Sequence, residues 1–165
     1  MTLDIFQTLF TGLTALTAIT ALLYAIRQVQ EAKKARVLEA YLIFESRLTS
    51  ESARQDRKYI YEKDFDDPKS ITKDDREVIE RVCVTFDILG VLVREELMYR
   101  PLVFKPFYDV IIKCWKKSFD FIEFERKPNR KAHTYMRDFE YLYYQAEDYR
   151  KENEFPEITI HHPVD

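Results

Sequence analysis

Two hydrophobic patterns divide the chain. Between Asp4 and Arg27 no charged side chain occurs, so Ile5–Ile26 is an uncharged run of 22 residues. At about 1.5 Å per residue a helix of that length reaches roughly 33 Å, close to the hydrocarbon thickness of a bilayer. Its polar residues are threonines and a single Gln7. Threonine hydroxyls can bond back to a helical carbonyl, which lipid tolerates. The pattern predicts a transmembrane helix over residues 1–26.

A cleaved leader would carry its positive charges ahead of the apolar run. Here only Asp4 precedes it, and Arg27, Lys33, Lys34 and Arg36 follow it, opposed by Glu31 alone. That asymmetry predicts an uncleaved anchor in a bacterial inner membrane, single-pass, with the N-terminus outside and residues 27–165 in the cytoplasm. The four juxtamembrane cations are also placed to meet acidic lipid head groups, at roughly 1 kcal/mol each. Within the run, Thr11/Ala15, Thr14/Ala18, Thr17/Ala21 and Ala21/Ala25 are small residues four apart. Such pairs let helix backbones approach closely in lipid, so self-association through this segment is expected.

Beyond Arg27 the apolar positions recur at spacings of three and four, the period of amphipathic helices. Val37, Ala40, Tyr41, Phe44 and Leu48 continue the first helix without a Gly or Pro. Thr49, Ser50 and Ser52 offer caps for a helix over 51–63, and Asp66-Asp67-Pro68 ends it. Thr72 with Asp75 has the form of a capping box. It opens a helix over 73–98 carrying Val78, Ile79, Val82, Phe86, Leu89, Val93 and Leu97. Pro101 and Pro106 predict a turn, with Pro106 in the first turn of the next helix. Phe107, Val110, Ile111, Cys114, Trp115, Phe119 and Ile122 mark that helix, and Pro128 closes it. A last helix over 132–152 follows, then an extended tail over 155–165. The expected architecture is all-α: an N-terminal transmembrane helix continuing into a cytosolic antiparallel bundle of four to five helices over 27–154.

The stretch from Glu77 to Arg150 resembles a family of small bacterial membrane-anchored proteins classed as a domain of unknown function. The resemblance rests on the anchor with its following helix (Arg27–Leu48), and on Val82-x-x-x-Phe86-Asp87-Ile88-Leu89-Gly90-Val91-Leu92-Val93-Arg94. Trp115, Arg126 and Asp138-Phe139-Glu140-Tyr141-Leu142 complete it. Phe86-Asp87 stands where Phe-Glu is more usual. The resemblance implies a single-pass membrane protein with a helical cytosolic domain, and no catalytic activity.

Composition adds exclusions. Lys and Arg number 26 against 29 Asp and Glu, a net charge of −3, without the basic excess of a nucleic-acid binder. Two cysteines and two glycines leave no disulfide framework, multi-cysteine metal module or glycine-rich phosphate loop. Cys83 and Cys114 fall on apolar helix faces, as inert buried thiols do. His161 and His162 are adjacent and do not converge on one metal. No metal or other cofactor is expected. Arg126 and His133 have the spacing of helical HEPN-type ribonucleases, in which the arginine would hold a phosphate and the histidine move a proton. Pro128 interrupts that pattern, and Arg126 is expected instead to bond the last carbonyls of its own helix. The basic run from Lys113 to Lys131 is interleaved with Asp120, Glu123 and Glu125, which makes it a solvated face. The expected function is a non-enzymatic, membrane-tethered helical module that binds itself or a protein partner. A membrane-perturbing oligomer is the alternative, and a ribonuclease the third.

Overall fold

A computed structural model describes residues 2–63, 65, 67–128 and 132–158, with residues 2–15 described as backbone alone. The described residues are all-α, in five helices: α1 (Thr2–Thr49), α2 (Glu51–Glu62), α3 (Lys73–Arg94), α4 (Arg100–Glu125) and α5 (Arg137–Glu152). The chain forms two units, Met1–Ala40 and Tyr41–Asp165. The first is a stretch of α1. The second holds the end of α1 with α2 to α5.

In the second unit the pairing of side chains sets the directions. Arg76 of α3 meets Glu125 at the end of α4, while Cys83, further along α3, lies by Ser118. Residue numbers rise in one helix as they fall in the other, so the two are antiparallel. Phe104 and Tyr108 of α4 meet Tyr149, and Trp115 meets Phe139 and Tyr143, so α4 and α5 are antiparallel too. Asp56 and Lys63 of α2 pair with Arg81 and Asp75 of α3 in the same opposed order. Phe86, Phe104, Phe121, Phe139, Ile79, Leu89, Ile111 and Leu142 fill the interior.

The expected helix ends hold at two sites. Ser50 caps α2, its hydroxyl accepting from the Ala53 N–H. Thr72 and Asp75 form the capping box of α3. Elsewhere the boundaries are corrected. α3 stops at Arg94 rather than residue 98, because Glu96 turns into the left-handed region (φ 55°). The Leu97 amide then donates to the Leu92 carbonyl and the Glu96 amide to the Val93 carbonyl, the paired bonds of a Schellman end. The expected turn at Pro101–Pro106 is helix. α4 starts at Arg100, Pro101 occupies its first turn, and Pro106 lies inside it. α5 begins at Arg137 rather than 132. Phe119 and Leu97, placed on apolar stripes by spacing, are exposed, whereas Val103, Phe104, Ile112 and Phe121 are buried. α4 touches α2, α3 and α5, so its buried arc is wider than one stripe.

The expected membrane helix is only partly open to description. Among the described residues no helix is long and apolar enough to cross a membrane. The side chains of Ile5–Ala15, half of the expected span, lie outside the described residues. So do Thr159–Asp165, most of the expected tail.

Candidate functional site

Leu16, Ile19, Leu22, Leu23, Tyr24 and Ile26 are all exposed on α1, Leu22 at 61% and Tyr24 at 65%. Turning 100° per residue, these six occupy one broad arc, and Ala18, Ala21 and Ala25 share the face left over. No side of this segment carries charge before Arg27. Apolar and charged residues therefore separate along the axis of α1 and not around it. A helix lying flat in a head-group layer shows the opposite distribution. Thr20 donates its hydroxyl back to the Leu16 carbonyl, as a threonine in an apolar helix does.

The expected association residues Thr17, Ala18, Ala21 and Ala25 are exposed; the side chains of Thr11, Thr14 and Ala15 lie outside the described residues. The cations Arg27, Lys33, Lys34 and Arg36 are all exposed, and Lys34 pairs with Glu31 at 3.2 Å.

In the second unit, the motif residues gather at the start of α5. That helix opens on Met136, which is buried, left-handed (φ 54°) and has no side-chain cap of its own. The cap comes from another helix. Asp87 Oδ1 of α3 accepts from the Asp138 and Phe139 amides at 3.0 and 2.9 Å. A carboxylate here satisfies amides that a helix start leaves unpaired, and it faces the positive end of the helix dipole. Two turns further along α3, Arg94 pairs with Asp138. Between them Gly90 lies against the Asp138 backbone, where a Cβ would stand 2.0 Å from the carbonyl oxygen. Phe86 stacks on Phe139 at 5.1 Å, and Trp115 meets Phe139 edge-on at 5.1 Å.

Arg126 completes this junction and corrects its expected role. The carbonyls its guanidinium bonds are not the last ones of α4. It donates to the Tyr135 and Met136 carbonyls ahead of α5 at 2.9 and 3.4 Å, and pairs with Glu140 at 2.8 Å and Glu123 at 3.0 Å. The group that would hold a phosphate in the ribonuclease reading is thus engaged in the fold. His133 is exposed.

The other reactive groups are packed away. Cys83 and Cys114 are free and fully buried, and burial pushes each thiol up to about 12. Tyr61 lies 3.3 Å from the Cys114 sulfur, and burial raises its phenol as well. Among the described residues no group of three or more His, Cys, Asp and Glu is arranged to hold a metal ion. A recess of about 330 Å³ between α2 and α3 is lined by Leu48, Ala53, Asp56, Arg81, Val84 and Phe86. Of its charged lining residues, Asp56 and Arg81 neutralise each other through a two-point ion pair at 3.0 Å, and Arg57 donates to the Leu48 carbonyl at 2.7 Å.

Asp75 is a buried carboxylate with a strongly shifted acidity. The Lys63 ammonium, 2.6 Å away, and the Tyr59 and Thr72 hydroxyls hold its carboxyl well below the usual carboxylate range. A lowered folded value means the contribution is complete above the unfolded value of about 3.9 and fades as pH falls through the folded one. We expect the melting temperature of Asp75→Asn to lie below wild type at pH 7 and the gap to narrow below pH ~4. A gap that stays constant with pH would remove Asp75 from the acid response.

Residues 13–146 match the family described as "Domain of unknown function (DUF4760)". No curated protein and no solved structure matches the chain. The match begins within the apolar part of α1 and ends in α5.

Proposed function

We propose that this chain, which belongs to the DUF4760 family, is a membrane-tethered interaction module: α1 enters the inner membrane of a bacterium and holds a helical bundle at its cytoplasmic face. The observation that carries this reading is the exposed apolar segment of α1, uncharged from Ile5 to Ile26 and followed by a cluster of cations. Large apolar side chains exposed together need an apolar solvent or a partner. Lipid suits a segment that is uncharged on every side. The family match supports the reading further, because it includes residues 13–26 with the bundle rather than leaving them outside as an appended leader. The cations Arg27, Lys33, Lys34 and Arg36 orient the helix and meet the acidic leaflet. Beneath the membrane, a bundle whose buried carboxylates Asp75 and Glu125 are paired with Lys63 and Arg76 has the character of a scaffold that presents surface to a protein partner or a second copy.

Membrane fractionation tests the tether. The full chain is expected in the membrane pellet after alkaline carbonate and high salt, and in the supernatant after detergent. Ile19→Arg with Leu22→Arg places two charges in the apolar segment, at a cost of about 3 kcal/mol each, and is expected to release the chain. Wild-type chain in the carbonate supernatant would defeat the reading.

A further inference from the structure

We propose that two copies of the chain pack their first helices side by side and parallel, along a seam of small residues from Ala18 to Ala35. The seam runs past the apolar segment into the charged one and is closed by Glu31 of each copy against Arg36 of the other. The parallel direction rests on the membrane reading above, since tethered copies share one orientation.

The occupant of this face is argued from how charge is distributed around it. Ala18, Ala21, Ala25, Gln28, Ala32 and Ala35 follow each other at alternating steps of three and four, and all six are exposed in the single chain. That spacing keeps them on one gently supercoiling line, the a and d positions of a seven-residue repeat. In the same frame Arg27, Lys33 and Lys34 fall at b and c, pointing away from the line. The two remaining charged residues of the stretch 27–36 are of opposite sign. Glu31 falls at g and Arg36 at the following e, the positions that meet across a parallel pair. The preceding g and e positions hold Tyr24 and Val29, so no like charges face each other. In the single chain Glu31 makes a solvent-exposed contact with Lys34, its side chain 64% exposed.

Small side chains at a and d let the backbones come close, Leu22 at e flanks the seam, and Ile19 and Leu23 are left at b and f to face lipid. Gln28 is the single amide on the line and can bond its counterpart, which favours one register. Glu39 occupies the next a position, where two carboxylates would oppose each other, and this ends the seam before the bundle begins.

Cysteine cross-linking of the full chain in isolated membranes tests the pairing. Buried Cys83 and Cys114 make the wild type the uncross-linked control. Under mild oxidation, Ala25→Cys and Ala32→Cys, on the line, are expected to yield several-fold more disulfide-linked dimer than Gln30→Cys and Lys33→Cys, off it. Glu31→Arg in the Ala32→Cys background should lower the dimer yield by about two- to tenfold, and adding Arg36→Glu should restore it. Equal yields at all four positions, monomer throughout, or an adduct of Ala32→Cys with a different protein would overturn the proposal. So would a charge reversal that the second reversal fails to rescue. The same positions are read in the soluble fraction. A chain that pellets with membranes but shows no preference for the line defeats the pairing alone; a line-specific dimer in the supernatant defeats the tether alone.

Discussion

Gly90→Ala is expected to destabilise the bundle by about 3 kcal/mol, although alanine is the better helix former by about 1 kcal/mol. The sign is set by tertiary contact. Gly90 lies in the interior of α3, and a Cβ there would stand 2.0 Å from the Asp138 carbonyl oxygen and 2.5 Å from its carbon. Both atoms are backbone, so no side-chain rotation relieves the overlap. α5 would have to move, and its start is held by Asp87 and Arg94 on either side of the glycine. Relief of the clash therefore breaks the Asp87 cap or the Arg94 pair, or both. The shift would also part Phe86 from Phe139. Denaturant unfolding of the purified chain, followed by far-UV circular dichroism, measures the change. A midpoint equal to or above wild type would mean that α3 and α5 do not approach so closely.

The residues of this junction were visible in the sequence as a motif, but their purpose was not. Spacing alone placed Phe86, Leu89 and Val93 on the core face of α3, and all three are buried. Spacing says nothing about which helix an apolar face meets. Asp87 and Gly90 break the apolar pattern, and their use depends on a helix start some fifty residues further on. The same limit explains the end of α3. The apolar period ran on to Leu97, while the left-handed turn at Glu96 has no glycine to announce it. At Pro101 and Pro106 the error was the reverse. Two prolines predict a turn, yet a helix accepts proline in its first turn without losing a bond, and α4 continues through the second proline as well. Local capping signals, by contrast, act over three or four residues and were legible: Ser50 and Thr72 both serve as caps. On α1 the small residues were legible as pairs four apart. Their continuation to Ala35 emerges only when exposure and the placement of each charge around the helix are considered together.

Arg126→Ala is expected to cost about 2–3 kcal/mol, and His133→Ala less than about 0.5 kcal/mol. The Arg126 side chain is 14% exposed. Its guanidinium ties the segment before α5 to the end of α4 through two carbonyls and two carboxylates. It also lies 5.9 Å from the Trp115 ring centre. Alanine would leave the Tyr135 and Met136 carbonyls without that donor and Glu140 without its cation. Met136 holds a left-handed backbone that isolated methionine disfavours, so loss of the clamp should let the entry to α5 relax. Arg126→Lys keeps the charge but offers a single point in place of a planar fork, and should recover less than half of the loss. His133 is exposed, and its removal should leave the melting temperature unchanged. The contrast separates two roles for the same arginine. A clamp predicts a stability loss graded as alanine below lysine below wild type, with His133→Ala silent. A phosphate-binding pair would show both alanine variants unchanged in stability and equally impaired in RNA cleavage.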